Sequence, residues 1–384
     1  MSPLIDKITA AHARDRVRVG DRPACIGELP RSFNSLTPQW LTELLCPGTA
    51  SESVTGYHLE NIEQCSSNGR KVFLQYSEDN PERPRPAVLF CKAAHDLDCR
   101  IVQAITGGSR NETLFYNTIR PLLPIEAPRP VLARLDSGSF NSLLILPDVG
   151  ERGGRFLDHH STLSRADIAA QLRVLADLHG KCYQDPEIRS RLRALPSWPE
   201  LFHDLERLNI EEISNGGLLA GKDVISPRTY RQLKRVWPAA IASVERHAVL
   251  PDTLIHGDVH LRNWYIAGTG EMGLSDWETA SRGHWSRDVA YILSTALTIE
   301  HRRLWERDLL RLYLDRLRVA GGPSVAFDEA WTHYRQQQMS ALVWWSLALA
   351  AVPGPSVAAP GNMTLEYFRR TVVAVDDLES LSSF

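Results

Sequence analysis

Lysine is scarce in this sequence. Basic residues do not outnumber acidic ones, no two cysteines are closely spaced as in a C-x-x-C motif, and no apolar run is long enough to cross a membrane. The 384 residues carry 43 Lys+Arg against 46 Asp+Glu, a formal net charge of −3, which argues against nucleic acid as a partner. The 6 cysteines form no C-x-x-C pair, and charges interrupt the apolar residues at the N-terminus, so we expect reduced thiols, no export signal and a cytoplasmic location. The longest apolar run, Ala341 to Val352, falls short of the roughly 20 residues that cross a bilayer, which predicts a buried helix and no membrane partner.

The remaining composition is that of an ordinary globular chain, with 43% hydrophobic and 23% charged residues. One short helix is predicted to begin at Thr37-Pro38. Further helices are predicted over residues 111–123, 165–183, 229–247, 287–300 and 305–319. Among the strand-like runs before residue 148, VTGYHLENIE, KVFLQYS and AVLFCKA read as an antiparallel meander. We therefore predict an α+β fold of two lobes. Residues 1–147 hold an N-terminal extension and a small β-rich lobe, and residues 148–384 hold a larger helical lobe.

The segment from Leu254 to Tyr291 concentrates side chains suited to chemistry: His256, Asp258, His260, Asn263, Asp276 and Asp288. WYIA and MGLSD flank a GTG turn, so Asn263 precedes one strand of a predicted hairpin and Asp276 ends the other. That arrangement brings Asp258, Asn263 and Asp276 near one another. Two carboxylates and a carboxamide can hold Mg²⁺ while one carboxylate faces an incoming hydroxyl.

These motifs resemble a known family. HGDVHLRN is similar to the H-G-D-x-x-x-x-N catalytic loop, and SDWE to the metal-binding strand end, of the aminoglycoside phosphotransferase and choline kinase-like superfamily, which has the protein-kinase fold. Bacterial small-molecule kinases related to ecdysteroid kinases are the most similar group in pattern. The resemblance implies Asp258 as catalytic base and Asn263 and Asp276 as ligands of Mg²⁺. It gives His256 and Asp288 supporting roles, and it implies a phosphoryl donor that is ATP, with GTP left open.

An upstream lysine and glutamate stand at the spacing that kinases use. Lys92, one of only six lysines, ends the apolar strand AVLFCKA, and Glu112 follows at the start of the helix NETLFYNTIRPLL. The resemblance implies that Lys92 contacts nucleotide phosphates and that Glu112 holds it in place. A glycine-rich loop is replaced by Cys65-Ser66-Ser67-Asn68-Gly69, where Ser66, Ser67, Asn68 and Gly69 are candidate phosphate contacts, although SSNG is equally an ordinary hairpin turn.

Other interpretations of these residues stay open. His256, Asp258 and His260 form an H-x-D-x-H cluster that would also suit a metal-dependent hydrolase, and His260 fits a packing role as well. A non-catalytic nucleotide-binding scaffold with the same fold is a further alternative. The intact set of Lys92, Asp258, Asn263 and Asp276 favours the enzyme.

The acceptor is predicted to be a small molecule with a hydroxyl. A protein kinase needs about 20 to 30 residues and an A-P-E motif after its metal-binding aspartate, whereas twelve residues lead from Asp276 to Asp288 and A-P-E is absent. Residues 290–384 carry ten Asp+Glu against nine Arg and no Lys, which favours a neutral or modestly apolar alcohol over a polycation. An aromatic group in the same region either lines the acceptor pocket or packs the core: Trp331, Tyr334, Trp344 and Trp345.

Overall fold

The computed structural model describes residues 3–18, 20–48, 52–62, 67–78, 84–350 and 362–384. The chain divides into two compact units. The first comprises Met1–Pro121 and Pro128–Arg155, and the second comprises Leu122–Ala127 and Phe156–Phe384. The predicted boundary between residues 147 and 148 separates a nucleotide-binding lobe from a lobe that carries the acceptor site, and it remains a prediction.

The first unit is built on an antiparallel sheet with the order β1-β2-β3-β5-β4. Its strands are β1 (Val54–Ile62), β2 (Asn68–Tyr76), β3 (Val88–Ala93), β4 (Leu132–Asp136) and β5 (Asn141–Pro147). Its helices are α1 (Pro3–Val17), α2 (Pro38–Leu45), α3 (Leu97–Thr106) and α4 (Gly108–Leu114), and α4 continues as a wider turn over Phe115–Ile119. The predicted meander and the helix that begins after Thr37 are therefore confirmed, and the Thr37 hydroxyl accepts the Trp40 N–H at 3.0 Å.

Strand periodicity decides which face of the sheet carries chemistry. Leu89, Cys91 and Ala93 of β3 are buried in a core that they share with Trp40 and Ile145, among others. Because successive side chains of a strand point to opposite faces, Lys92 lies on the face away from that core. Its neighbours in the adjacent strands are Gly69 of β2 and Leu144 of β5.

The second unit is mostly helical. Its helices are α5 (Arg165–Gln184), α6 (Pro186–Leu192), α7 (Trp198–Glu206), α8 (Ile210–Ala220), α9 (Pro227–Tyr230), α10 (Val236–Val249), α11 (Ser286–Ala296), α12 (Ile299–Val319), α13 (Phe327–Leu349) and α14 (Asn362–Asp377). Short strands follow the two-residue strand β6 (Arg155–Phe156): β7 (Thr253–Ile255), β8 (Trp264–Ile266), β9 (Met272–Leu274) and β10 (Ser281–Gly283). Strands β8 and β9 form the predicted hairpin, and β10 pairs with β7. In the described part of the chain no helix has the length and apolar character to span a membrane.

Several predicted helices have different bounds, and the helix predicted over residues 305–319 begins earlier, at Ile299. The helix predicted over residues 229–247 is interrupted after α9 and resumes as α10 at Val236, because Pro238 is tolerated only in the first turn of a helix. The helix predicted over residues 287–300 ends at Ala296, since the Thr298 hydroxyl accepts the His301 N–H at 3.2 Å and thereby starts α12. Helix α11 is buried at every position, which places it at the centre of the second unit.

We predict that acid weakens each unit through its buried histidines, with His95 and His247 as the clearest cases. Burial lowers the pKa of His95 in the first unit and of His247 in the second to about 4. Between pH 6.5 and 4 the unfolded chain therefore binds protons that the folded chain excludes, so stability is complete above pH 6.5 and falls as the pH is lowered. The expected loss at pH 5.5 is roughly 1 kcal/mol per histidine.

Urea unfolding at pH 7.5, 6.5 and 5.5 measures this loss. Carboxylates titrate below this window, so they do not obscure the histidine effect. A free energy of unfolding that is flat between pH 7.5 and 5.5 would contradict the prediction.

Candidate active site

The turn at Gly257 gives the candidate catalytic loop its shape. Gly257 has φ +82°, a left-handed conformation in which a side chain is strained, and an added Cβ would lie 3.0 Å from the Thr279 carbonyl oxygen. The Thr279 hydroxyl in turn donates to the His256 carbonyl at 2.6 Å. The loop therefore turns back against the segment that follows Asp276, and glycine is the residue that this close approach permits.

A buried carboxylate on α11 holds the same turn from the other side. Asp288 is fully buried and accepts the backbone N–H groups of His256 at 2.7 Å and Gly257 at 2.9 Å. Its Oδ2 also lies 3.2 Å from the His179 Nε2 atom. Burial alone would raise the pKa of Asp288, but the hydrogen bonds from His179 and from the His256 backbone keep it below its ordinary value. The supporting role expected for Asp288 matches this position.

His256 packs under the loop with both ring nitrogens in use. Its Nδ1 accepts the Asp258 N–H at 3.2 Å, so its Nε2 carries the proton and donates to the Ser275 carbonyl at 2.9 Å. Burial lowers the pKa of His256 and favours this neutral form. The ring joins the catalytic loop to the residue before Asp276. Because no ring nitrogen remains for a metal ion, the hydrolase interpretation of His256, Asp258 and His260 loses one of its three ligands.

The carboxylate of Asp258 is held at both oxygens and stays partly open to solvent. The Tyr291 hydroxyl donates to Oδ1 at 2.7 Å, and the His260 Nε2 atom lies 3.5 Å from Oδ2. Burial by itself would raise the pKa of Asp258. The interactions with His260, the Tyr291 hydrogen bond and the nearby His256 ring outweigh burial and hold that pKa below its usual range. With 23% of its side chain exposed, Asp258 presents an ionised carboxylate at the surface of the second unit.

Asn263 and Asp276 lie on either side of the β8–β9 hairpin, as predicted. The Asn263 side-chain amide donates to the Asp258 carbonyl at 2.8 Å, and the Asn263 carbonyl accepts the Ser275 N–H at 2.9 Å. Asp276 follows with φ +64°, a left-handed conformation that aspartate tolerates better than most residues. These contacts bring the two candidate ligands close to Asp258. Their carboxamide and carboxylate oxygens are hard donors of the kind that suits Mg²⁺.

The predicted lysine and glutamate contact each other within the first unit. The Lys92 Nζ atom lies 3.2 Å from the Glu112 Oε2 atom, and both side chains are less than a tenth exposed. A lysine buried beside a glutamate keeps its charge and its position. This ion pair joins strand β3 to helix α4, which is the relation expected from their spacing.

The predicted phosphate loop is only partly described. Ser66 lies outside the described residues, and Ser67 is buried. Asn68 and Gly69 belong to strand β2, where Gly69 pairs with Lys92. The Asn68 carboxamide accepts the His95 N–H at 2.9 Å and donates to Asp96 at 2.6 Å. Any phosphate contact at Asn68 therefore falls to its backbone, and the role of these four residues stays a prediction.

The four aromatic residues left open between core and pocket separate into two groups. Tyr334 is fully buried and donates to Glu306 at 2.8 Å, while Trp331 packs on Phe327, with ring centroids 5.9 Å apart. Trp344 lies near Trp198, with ring centroids 5.8 Å apart. Trp345 lies beside the rings that flank Asp258: its ring centroid is 6.1 Å from that of Tyr291 and 5.6 Å from that of His260.

Sequence reasoning missed two residues of helix α11 that reach the catalytic loop. Tyr291 contacts the Asp258 carboxylate, and the Arg287 Nη2 atom donates to the Gly257 carbonyl at 3.0 Å. A signal was present, because Tyr291 lies three residues after Asp288 and four after Arg287, so the three share one side of a helix.

A model of the phosphotransferase enzyme family matches residues 109–327, more than half of the chain. Among curated proteins, no sequence matches significantly.

Solved structures with a similar fold include a candidate aminoglycoside phosphotransferase from Ralstonia eutropha JMP134, at 17% identity, with 90% of this chain and 96% of that chain covered and a TM-score of 0.50. Choline kinase LicA from Streptococcus pneumoniae has 13% identity, coverage of 84% and 95%, and a TM-score of 0.48. A choline/ethanolamine kinase family protein from Mesorhizobium loti has 14% identity, coverage of 97% and 98%, and a TM-score of 0.47. The first of these likenesses supports the predicted α+β fold.

Proposed function

We propose that this chain, which belongs to the phosphotransferase enzyme family, transfers the γ-phosphoryl group of ATP to a hydroxyl of a small molecule. The observation that carries the proposal is the fixed, ionised Asp258 carboxylate. The backbone carbonyl of the same residue accepts the Asn263 amide, and its backbone N–H is joined through His256 to the residue before Asp276. A base beside two oxygen ligands is what phosphoryl transfer to an alcohol requires.

Asp258 orients the acceptor and receives its proton. In the proposed step the hydroxyl oxygen forms a bond to the γ-phosphorus, the bond from that phosphorus to the β,γ-bridging oxygen breaks, and the hydroxyl proton moves to Asp258. Because the pKa of Asp258 is held low, the carboxylate is a weak base and takes the proton only as the hydroxyl oxygen loses electron density. Its main contribution is therefore the position of the hydroxyl.

Asn263 and Asp276 would hold Mg²⁺, which when bound neutralises charge on the nucleotide phosphates. Lys92 is proposed as the cation that contacts phosphate oxygens, with Glu112 holding its ammonium group in place. ATP is the proposed donor.

The segment from Asp276 to Asp288 favours a small acceptor. Its residues are occupied within the second unit: the Thr279 hydroxyl binds the His256 carbonyl, and strand β10 pairs with β7. No part of it extends as a platform for a peptide. The rings of Tyr291, His260 and Trp345 near Asp258 favour a neutral or modestly apolar alcohol.

The first prediction of this function concerns the base. Asp258→Asn keeps the shape of the side chain and removes its charge, so we expect nucleotide affinity within about twofold of the wild type and turnover lower by on the order of 10² to 10⁴. Asp204→Asn is a matched control, since Asp204 is an exposed carboxylate in a pair with Arg207. Equal turnover by Asp258→Asn and the wild type would remove Asp258 from the mechanism.

The second prediction concerns the metal. Asp276→Asn suits the φ of +64° better than alanine would, and it removes the charged ligand. We expect ATP affinity in the presence of Mg²⁺ to fall at least about tenfold, because Mg²⁺ is held by only one or two protein carboxylates. Calorimetric titration with ATP, with and without Mg²⁺, measures this change. Unchanged affinity in both titrations would reject Asp276 as a ligand.

The third prediction concerns the acceptor. We expect ATP consumption to rise with neutral alcohols and sugars rather than with polyamines or aminoglycosides, because ten Asp+Glu balance nine Arg over residues 290–384. ADP release is measured with ATP and with GTP across a panel that also contains choline-like amines. Activity with polycations alone would show that the charge argument is wrong, whereas nucleotide binding without turnover for any compound would favour the non-catalytic scaffold.

A further inference from the structure

Helix α11 contributes two polar side chains that the proposed chemistry does not use. Arg287 and Tyr291 are both fully buried, and the Arg287 guanidinium carbon lies 4.6 Å from the centroid of the Tyr291 ring. Arg287 contacts the Gly257 carbonyl in the backbone of the catalytic loop, and Tyr291 contacts the Asp258 carboxylate. Buried polar groups are costly unless they are paired, so their place beside a reacting group calls for a reason.

Arg287 and Asp288 together bind both polar groups of one residue. The Gly257 N–H donates to Asp288 at 2.9 Å, and the Gly257 carbonyl accepts from Arg287 at 3.0 Å. Two consecutive side chains of α11 thus fix the orientation of the peptide groups on either side of Gly257. The residue that follows is Asp258, whose main-chain position is determined by this arrangement.

The surroundings of Arg287 keep it in one place. Its guanidinium carbon lies 4.7 Å from the Trp198 ring centroid and 5.9 Å from that of Trp344, besides its contact with Tyr291. Its Nε and Nη1 atoms have no hydrogen-bond partner among the residues that the structure describes. A guanidinium enclosed by aromatic faces is held by cation–π attraction, and the ring of Tyr291 is held with it.

We infer that Tyr291 and Arg287 are positioning residues for phosphoryl transfer, with Tyr291 setting the orientation of the Asp258 carboxylate and Arg287 supporting both Tyr291 and Gly257. This inference rests on the proposed function. The Tyr291 hydroxyl occupies Oδ1 at 2.7 Å, which leaves Oδ2, 3.5 Å from the His260 Nε2 atom, as the oxygen that takes the proton of the acceptor hydroxyl. Burial and the Asp258 charge raise the pKa of Tyr291 well above its usual value, so the phenol remains a donor throughout the pH range of activity.

A double-mutant cycle between Tyr291 and Asp258 tests the inference. Tyr291→Phe keeps the ring that packs on Arg287 and removes only the hydroxyl. We expect it to lower kcat by about tenfold, the worth of a hydrogen bond to a charged group, and to leave KM for ATP within about twofold. In the Asp258→Asn background the same change should alter kcat by less than about twofold, because Tyr291 acts through the carboxylate that is then missing. ADP release is measured with water and with the best acceptor of the panel.

Tyr334→Phe is the matched control. Tyr334 is equally buried in the second unit, and its hydroxyl donates to the Glu306 carboxylate at 2.8 Å, away from the catalytic loop. We expect a similar loss of thermal stability and unchanged kcat. If Tyr291→Phe leaves kcat unchanged, or lowers it equally in both backgrounds, Tyr291 has only a structural role and the inference is wrong.

Arg287 is tested by rescue. Arg287→Met leaves the Gly257 carbonyl without its donor and should lower kcat about tenfold, whereas Arg287→Lys restores a donor and should recover part of that loss. Equal kcat in the methionine variant and the wild type would reject the role of Arg287, and the Tyr291 cycle decides the inference if the methionine variant does not fold. Failure of Asp258→Asn to lower turnover would overturn the proposed function instead, so the two failures are distinguishable.

Discussion

The candidate site depends on one buried carboxylate. Asp288 is fully buried on a helix that is buried at every position, and it accepts the N–H groups of His256 and Gly257. These N–H groups lie in a turn, outside any helix or strand whose backbone carbonyls could accept them. The Asp288 carboxylate therefore accepts both hydrogen bonds. Because the turn is fixed in this way, the His256 ring accepts the Asp258 N–H. Removing one partner from such a buried charged arrangement costs about 3 to 5 kcal/mol.

Charge balance explains why the arginine stands next to this aspartate. Burial lowers the pKa of Arg287, while the Tyr291 phenol and the carboxylates of Asp288 and Asp258 act in the opposite direction. Helix α11 therefore carries a positive and a negative charge in successive residues, and each binds the backbone of Gly257. An apolar pair of similar volume would cost less to bury, but it would leave both polar groups of the turn unpaired. The helix retains these charges because they define the geometry of the loop.

Sequence patterns predicted the parts of the site that are local along the chain. Asp258 and Asn263 are five residues apart in one loop, so spacing indicated that they would be close. Lys92 and Glu112 lie on β3 and α4 with α3 between them, and the resemblance to kinases indicated that pair. Arg287 and Tyr291 contact loop residues that lie 30 and 33 positions earlier in the chain. A helix that is buried on every side has no amphipathic pattern to indicate which face meets the loop. The predicted starts of α10 and α12 were wrong, because the apolar pattern is continuous there. The structure starts α10 near Pro238 and starts α12 after Thr298.

A weakly basic carboxylate changes where selectivity arises. Under the proposed function, every alcohol that reaches Asp258 meets the same ionised carboxylate, so the basicity of that carboxylate does not distinguish one acceptor from another. Discrimination must come from how precisely each hydroxyl is placed, because small displacements of reacting atoms are costly in rate. In the proposed site that placement falls to the His260 ring of the loop itself and to two rings packed near Asp258, Tyr291 of α11 and Trp345 of α13. In the proposed mechanism the loop and helix α11 therefore determine the reaction, and the aromatic surroundings determine which molecule undergoes it.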